Sequence, residues 1–154
     1  MIHRWILAPA VLGLLLPACG PDPNDAPGAV ASSIEQAAAA ASSGSCGPVQ
    51  GYTAPINDKG VATAEGGAMT ISANDFFFQP TCVRAGGVDT VTLKVTNTGS
   101  ILHNVTIADQ SIDVDIAPGA SVEVHVKVAA APVVYVCKFH RTAGMVGAVL
   151  PSGS

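Results

Sequence analysis

The sequence predicts an all-β domain after residue 68, a sandwich or barrel of about seven to eight short strands. Apolar and polar residues alternate over short runs, which is the pattern of half-buried strands. Turn signals such as Pro118-Gly119 separate these runs, and no segment after residue 68 has a helical period. Short alternating runs divided by turns are typical of an all-β sandwich or barrel.

The clearest run, residues 88–98, places Val91, Leu93 and Val95 on one face and hydrophilic residues on the other. A domain of about 105 residues buries roughly 60–70% of its unfolded surface, which is enough for one core. The aromatic run 76–78 and the inward valines would supply that core. The predicted strands are residues 69–73, 76–78, 88–98, 101–108, 112–116, 121–128, 132–137 and 145–150.

Residues 1–18 have the features of an export signal, with a basic start and an apolar stretch. The stretch is shorter than the about 20 residues that a membrane-spanning helix needs. Residues 16–20, Leu-Pro-Ala-Cys-Gly, resemble a bacterial lipoprotein cleavage box. This resemblance implies a signal peptide over 1–18, a lipid on Cys19 and a mature protein anchored to a membrane. The alternative is plain secretion with Cys19 unused, and both alternatives predict a location outside the cytoplasm.

Residues 19–45 are expected to form a flexible tether. They are rich in proline, serine and alanine and contain no aromatic residue, so they have little to bury. A flexible chain of this length spans on the order of 30 Å, which would let an anchored domain reach partners near the membrane. The alternative is a tail without a role. The domain itself is predicted to comprise residues 46–154.

Charge argues against one class of partner. The chain has 7 basic and 11 acidic side chains, for a net charge of −4. No cluster of lysine or arginine is present to hold phosphates, so the composition excludes a nucleic-acid-binding protein.

Three potential metal ligands lie close together near the end of the chain: Cys137, His140 and Met145. A thiolate and two imidazoles with a weak axial thioether form the ligand set of blue-copper electron-transfer centres. His103 can supply the second imidazole, since it begins a predicted strand elsewhere in the domain. Each residue alone would more often be an ordinary core or surface group, but the joint pattern indicates a metal site.

The other two histidines do not compete for this role. His3 belongs to the leader, and His125 alternates with inward valines and is expected to be solvated. Zinc is the alternative metal, but structural zinc sites usually carry two or more thiolates, and a thioether is not among the usual zinc ligands.

The combination of Cys-x2-His-x4-Met with Leu-His-Asn-Val at residues 102–105 resembles the cupredoxins, the family of plastocyanin and azurin. The resemblance covers roughly residues 68–151. It implies a Greek-key β-sandwich or barrel that holds one copper ion, cycling between Cu(I) and Cu(II). His103, Cys137 and His140 would bind the copper in one plane, and Met145 would be the axial ligand.

The resemblance also implies roles for the neighbouring residues. The Leu102 carbonyl would make a further weak contact to the metal, and the Asn104 side chain would tie the histidine loop to the cysteine loop. His140 would present its ring edge to solvent, and redox protein partners would dock near it. The family consists of electron carriers, which implies that this protein is not an enzyme and has no small-molecule substrate.

The cysteines can then be assigned. If Cys19 carries lipid and Cys137 binds metal, then Cys46 and Cys82 remain, and an oxidising compartment favours a disulfide between them. The alternative is a pair of buried, unpaired thiols.

Two other functions remain open at this point. A protein of the same fold could store or deliver copper, although a closed set of four ligands would release the metal slowly. A non-redox β-sandwich interaction lipoprotein is the other alternative, and its ligand residues would be coincidental.

Overall fold

The computed structural model describes residues 44–49 and 52–153. In this part of the chain, ten strands form two sheets. The strands are β1 (Val61–Thr63), β2 (Ala68–Asn74), β3 (Phe77–Gln79), β4 (Cys82–Arg84), β5 (Thr90–Asn97), β6 (His103–Ile107), β7 (Ile112–Ile116), β8 (Ser121–Lys127), β9 (Val133–Val136) and β10 (Val146–Leu150). Two short 3₁₀ helices, Ala108–Gln110 and Arg141–Ala143, complete the described elements.

The first sheet has the strand order β1-β4-β10-β9-β6-β7, and the second has the order β3-β2-β5-β8. The chain passes between the sheets repeatedly, from β5 to β6, from β7 to β8 and from β8 to β9. The prediction of an all-β sandwich is therefore confirmed.

The core lies between the two sheets and is built by the alternation that the sequence shows. On β5, Val91, Leu93 and Val95 are buried, whereas the threonine and lysine side chains between them are not. The first sheet contributes Val105, Ile107 and other apolar side chains to the same cluster. Burial of each such side chain contributes about 1.5–3 kcal/mol to folding.

Two strands, β1 and β4, were not among the predicted ones. Each has three residues, which is too short to show a period. They pair in parallel with each other, and β4 also pairs in parallel with β10. These pairings join segments that are distant in the chain, so the local sequence gives no signal for them.

The predicted signal peptide, the lipid site at Cys19 and all but the last two residues of the tether lie outside the described residues. None of the helical segments in the described part of the chain has the length and hydropathy needed to cross a membrane.

Candidate metal centre

His103 and Cys137 meet because β6 and β9 are antiparallel neighbours. Thr106 of β6 lies opposite Val136 of β9, so the start of β6 and the end of β9 lie at the same end of the sheet. His103 is on the face of β6 that also carries Val105, and this face points into the core. Cys137 follows β9, is itself buried and belongs to the same core cluster.

The ligand loop, residues 138–144, brings His140 back to this end. The His140 backbone N–H donates to the Cys137 carbonyl at 3.1 Å, which closes a tight turn. The loop ends at Gly144, which has φ of +90°, a left-handed conformation that glycine adopts at no steric cost.

Met145 lies directly before β10, and its backbone is hydrogen-bonded to both Cys137 and His140. Its backbone N–H donates to the His140 carbonyl at 3.2 Å, and its carbonyl accepts the Cys137 N–H at 3.1 Å. Its side chain is fully buried and belongs to the main core cluster. These two backbone bonds therefore hold Met145 close to Cys137 and His140.

Three side chains form a compact group of metal-binding atoms. One ligand atom from each of His103, Cys137 and His140 lies within 4.8 Å of the other two. The Cys137 Sγ is 3.4 Å from the His140 Nδ1, and the two imidazole rings meet edge to face with centroids 5.2 Å apart. His103 and Cys137 are buried, whereas His140 is half-buried.

His103 tests whether a metal fits here. Its side chain is 0% exposed, and neither of its ring nitrogens has a hydrogen-bond partner among the described residues. The Asp75 Oδ1 lies 3.5 Å from His103 Nε2, which is too long for a good hydrogen bond. Buried polar atoms normally have a partner because an unpaired one costs about 1–3 kcal/mol. A bound metal ion would supply the missing partner, so the residues fit one.

The protonation state of His103 also suits a ligand. Burial lowers the pKa of His103, and the neighbouring His140 lowers it further, against an opposing effect of Asp75. The imidazole is therefore held in its neutral form, which is the form that binds metals.

Asn104 connects β6, which begins with His103, to the segment that contains Cys137. Its side-chain oxygen accepts the backbone N–H of Lys138 at 3.4 Å and the Thr106 hydroxyl at 2.5 Å. Its side-chain NH₂ donates to Asp113 at 2.8 Å and to Asp115 at 2.7 Å. The amide thus bonds to four residues, one of which directly follows Cys137.

The two aspartates of β7 were not identified from the sequence. Both accept a bond from the Lys138 Nζ at 2.8 Å, and hydrogen bonds from Lys138 lower the pKa of Asp113 and Asp115. The alternation of residues 112–116 placed both carboxylates on one face, so a signal for this cluster was present.

Four exposed apolar side chains come from segments next to the site. Among the described residues, they are the large hydrophobic side chains that remain exposed: Phe76, Ile101, Leu102 and Phe139. Leu102 directly precedes His103, and Phe139 directly precedes His140. The ring centroids of Phe139 and His140 are 6.3 Å apart.

Phe76 lies over His140 from the turn between β2 and β3. Its ring meets the His140 ring edge to face at 5.1 Å. The backbone of Phe76 has φ of +72°, a conformation that costs a bulky residue on the order of 1–3 kcal/mol and that concentrates at functional sites. The Phe76 carbonyl accepts a 2.7 Å bond from the Asn57 side chain, which helps to hold this turn.

The covering segment, residues 52–60, packs against the ligand loop and was not recognised from the sequence. The Asn57 backbone N–H donates to the Gly144 carbonyl at 3.0 Å. The Asn57 side chain donates to the Ala143 carbonyl at 2.9 Å. Asn57 therefore bonds to both ends of the site, the ligand loop and the turn at Phe76.

The covering segment is itself tied down. The Tyr52 hydroxyl donates to the Arg141 carbonyl at 2.7 Å, and Asp58 accepts the Cys46 backbone N–H at 2.8 Å. Cys46 and Cys82 form a disulfide with a Cα–Cα distance of 5.5 Å. This bond fastens the chain preceding the covering segment to β4 of the first sheet.

No family model and no curated protein matches the sequence. Three solved structures to which the chain is similar are an auracyanin, a metal-binding domain and a purple cupredoxin. The auracyanin, from the photosynthetic bacterium Roseiflexus castenholzii, is 16% identical over 58% of this chain and 98% of its own, with a TM-score of 0.48. The metal-binding domain of the Cu(I)-exporting P-type ATPase of Streptococcus pneumoniae is 10% identical over 60% and 96%, with a TM-score of 0.47.

The purple cupredoxin comes from Nitrosopumilus maritimus. It is 22% identical over 54% of this chain and 98% of its own, with a TM-score of 0.41. Likenesses at these identities and TM-scores carry no conclusion about function, which depends on the side chains of the site.

Proposed function

We propose that this protein is a type 1 copper electron-transfer protein. The observation that carries the proposal is the compact group of His103, Cys137 and His140, in which both ring nitrogens of His103 lack a hydrogen bond to any described residue. Copper bound there would cycle between Cu(I) and Cu(II) and so carry one electron. The proposal assigns the protein no substrate and no catalysis.

The donor set favours copper over zinc. A single thiolate with two imidazoles is typical of blue-copper sites, whereas structural zinc sites usually contain more thiolates. The buried Met145, fastened by its backbone to Cys137 and His140, would add the weak axial thioether. We infer from this set that His103, Cys137, His140 and Met145 are the ligands.

The way the ligands are held favours electron transfer over storage or delivery. His103 begins a strand in the interior of the first sheet, and Cys137 follows another. The Asn104 amide links these two strands, and Asn57 bonds to the ligand loop. A site fixed in this way changes little between oxidation states, whereas a delivery site has to open in order to release its metal.

The route for the electron would be His140. It is the half-buried member of the group, and the exposed rings of Phe76 and Phe139 flank it. We propose that redox protein partners dock on this apolar surface, which would exclude water from the contact with His140. An exposed aromatic surface of this kind is typical of protein interaction sites.

We propose a location outside the cytoplasm. The Cys46–Cys82 disulfide supports this, because disulfides persist mainly in oxidising compartments. Attachment to a membrane through a lipid on Cys19 stays a prediction from the sequence.

Copper binding can be tested by adding Cu(II) to the purified protein and recording its visible absorption, with Cys137→Ser as the matched variant. The proposal predicts an intense thiolate-to-copper band in the wild type and its loss in the variant. A colourless protein that still binds copper would favour storage or delivery. If copper does not bind at all, the interaction-lipoprotein alternative would replace the proposal.

A further inference from the structure

Asp75 is the one carboxylate that approaches a member of the metal-binding group in the described residues. It lies in the turn between β2 and β3, and its Oδ1 is 3.5 Å from the His103 Nε2. The His103 side chain is fully buried, whereas the Asp75 side chain is 42% exposed. The carboxylate of Asp75 therefore faces solvent on one side and a buried imidazole on the other.

The loop that leads into β6 orients the Asp75 carboxylate towards His103. The Ser100 backbone N–H donates to Asp75 Oδ1 at 3.2 Å, and the Ser100 hydroxyl donates to Oδ2 at 3.3 Å. Ser100 is three residues before His103, so the same short segment positions both the imidazole and the carboxylate.

Because Gly99 has no side chain, Asp75 and His103 can approach each other beside it. A Cβ at position 99 would collide with Asp75 Oδ1 and would lie 3.0 Å from His103 Nε2. The backbone of Gly99 is not in the left-handed region, so its conformation does not require glycine. The absence of a side chain is explained by the contact between Asp75 and His103.

Resting on the proposed copper function, we propose that Asp75 is a positioning residue for the metal centre, whose carboxylate accepts the Nε2–H of His103 and thereby directs the Nδ1 lone pair to the metal. The two ring nitrogens point in different directions, so a proton fixed on Nε2 leaves Nδ1 as the ligand atom. Histidine ligands commonly donate their second N–H to a carboxylate in this way. Shortening the contact by about 0.3 Å brings it into hydrogen-bond range.

The charge of Asp75 has a further effect. A nearby negative charge interacts more favourably with Cu(II) than with Cu(I). Removal of the charge therefore weakens Cu(II) binding more than Cu(I) binding and raises the reduction potential. If Cu(II) affinity falls tenfold more than Cu(I) affinity, the reduction potential of this one-electron couple rises by about 59 mV.

The test compares four variants of the purified protein: Asp75→Ala, Asp75→Asn, Gly99→Ala and, as a control, Asp89→Asn. Asp89 directly precedes β5, whereas Gly99 follows its other end, roughly 25 Å of strand away. The control thus makes the same charge change far from the site. The nitrogen that carries the His103 proton is identified by 15N NMR in the metal-free protein, and the reduction potential is measured after copper loading.

We expect the proton on Nε2 in the wild type, in Asp75→Asn and in the control, and a mixture of both tautomers in Asp75→Ala. We expect a loss of Cu(II) affinity of about 10–100-fold in Asp75→Ala. The potential should rise in Asp75→Asn, Asp75→Ala and Gly99→Ala, but not in the control.

Two results would overturn the assignment: a wild-type proton on Nδ1, or equal potentials in Asp75→Asn and Asp89→Asn. A protein that binds no copper would overturn the proposed function instead. In that case the tautomer comparison in the metal-free protein would still decide whether Asp75 positions His103.

Discussion

His103 is the residue whose surroundings make least sense without a metal. It lies on the core-facing side of β6 among apolar side chains, and in the described part of the chain neither ring nitrogen has a hydrogen-bond partner. Burial is the largest cause that lowers its pKa, so the ring stays neutral. A buried polar side chain without partners costs stability, which indicates that His103 has a functional role rather than a structural one.

Replacement of His103 by leucine should therefore stabilise the metal-free protein while it abolishes metal binding. Leucine removes the buried Nδ1, which has no partner in the described structure and costs about 1–3 kcal/mol, so we expect a gain of at least about 1 kcal/mol in the free energy of unfolding. Denaturant unfolding of the metal-free proteins measures this gain.

The matched control is His125→Leu, because His125 is exposed on β8 and bonds only to Thr92 in the described structure. A surface change of this kind should stay within about ±0.5 kcal/mol. The interpretation of His103 would be contradicted if His103→Leu destabilised the metal-free protein more than His125→Leu does.

At the scale of elements, the covering segment acts as a second layer over the ligand loop. Asn57 makes three bonds across this contact, to Gly144, Ala143 and Phe76. These bonds join a segment without regular structure to the loop that carries His140, and they should keep that loop closed.

Replacement of Asn57 by alanine should loosen the ligand loop. Alanine removes the two side-chain bonds, to Ala143 and Phe76, and keeps the backbone bond to Gly144. A lost hydrogen bond costs about 0.5–1.5 kcal/mol, so local opening of the loop should become roughly fivefold more frequent for a loss of about 1 kcal/mol. Amide hydrogen exchange at Gly144 and Met145 measures the change, with the amides of β5 as the internal reference. Unchanged exchange at these two residues would show that the covering segment does not hold the loop.

The disulfide should contribute to stability through the chain that it closes. It joins residues 36 positions apart, for which the chain-entropy model gives about 4 kcal/mol, with measured values typically about 2–4 kcal/mol. We expect the double variant Cys46→Ser/Cys82→Ser to lose this amount in denaturant unfolding. A reductant should destabilise the wild type by a similar amount and leave the double variant unchanged; equal sensitivity of both proteins would contradict the prediction.

The elements that could be predicted are those with a local signal. β5 and β8 show a clear period of two because each has one face in the core, and β6 and β9 could be placed from their apolar runs. β1, β4 and the covering segment depend on contacts with residues far along the chain, and no local pattern marks them.

The same distinction holds within the site. His103, Cys137 and His140 could be proposed from residue type and spacing, and the fold brings their side chains together. Asp75 and Asn57 lie in turns and loops with ordinary composition, and they reach the site only because the fold brings them there.

At the scale of the whole molecule, the site lies at one end of a sandwich whose two sheets share one core. His103 begins β6, Cys137 directly follows β9, and the loop before β10 supplies His140. Side chains from the turn between β2 and β3 cover the group from the second sheet. Because both sheets contribute, a metal bound here should stabilise the entire fold.

Copper should accordingly raise the free energy of unfolding of the whole domain. A ligand that binds only the folded state adds about 2.7 kcal/mol at a free concentration of 100 times its Kd. Thermal unfolding with buffered Cu(I) measures the effect, and a strong chelator should reverse it. Cys137→Ser is the control and should gain much less; an equal gain in the variant would place copper elsewhere.

The most direct test of the electron-transfer proposal is a redox titration of the copper-loaded protein, followed by its visible absorption. We expect a single reversible one-electron transition in which the thiolate-to-copper band disappears on reduction and returns fully on oxidation, with copper retained throughout. Loss of copper on reduction, or a band that does not return, would contradict electron transfer and would favour delivery of the metal.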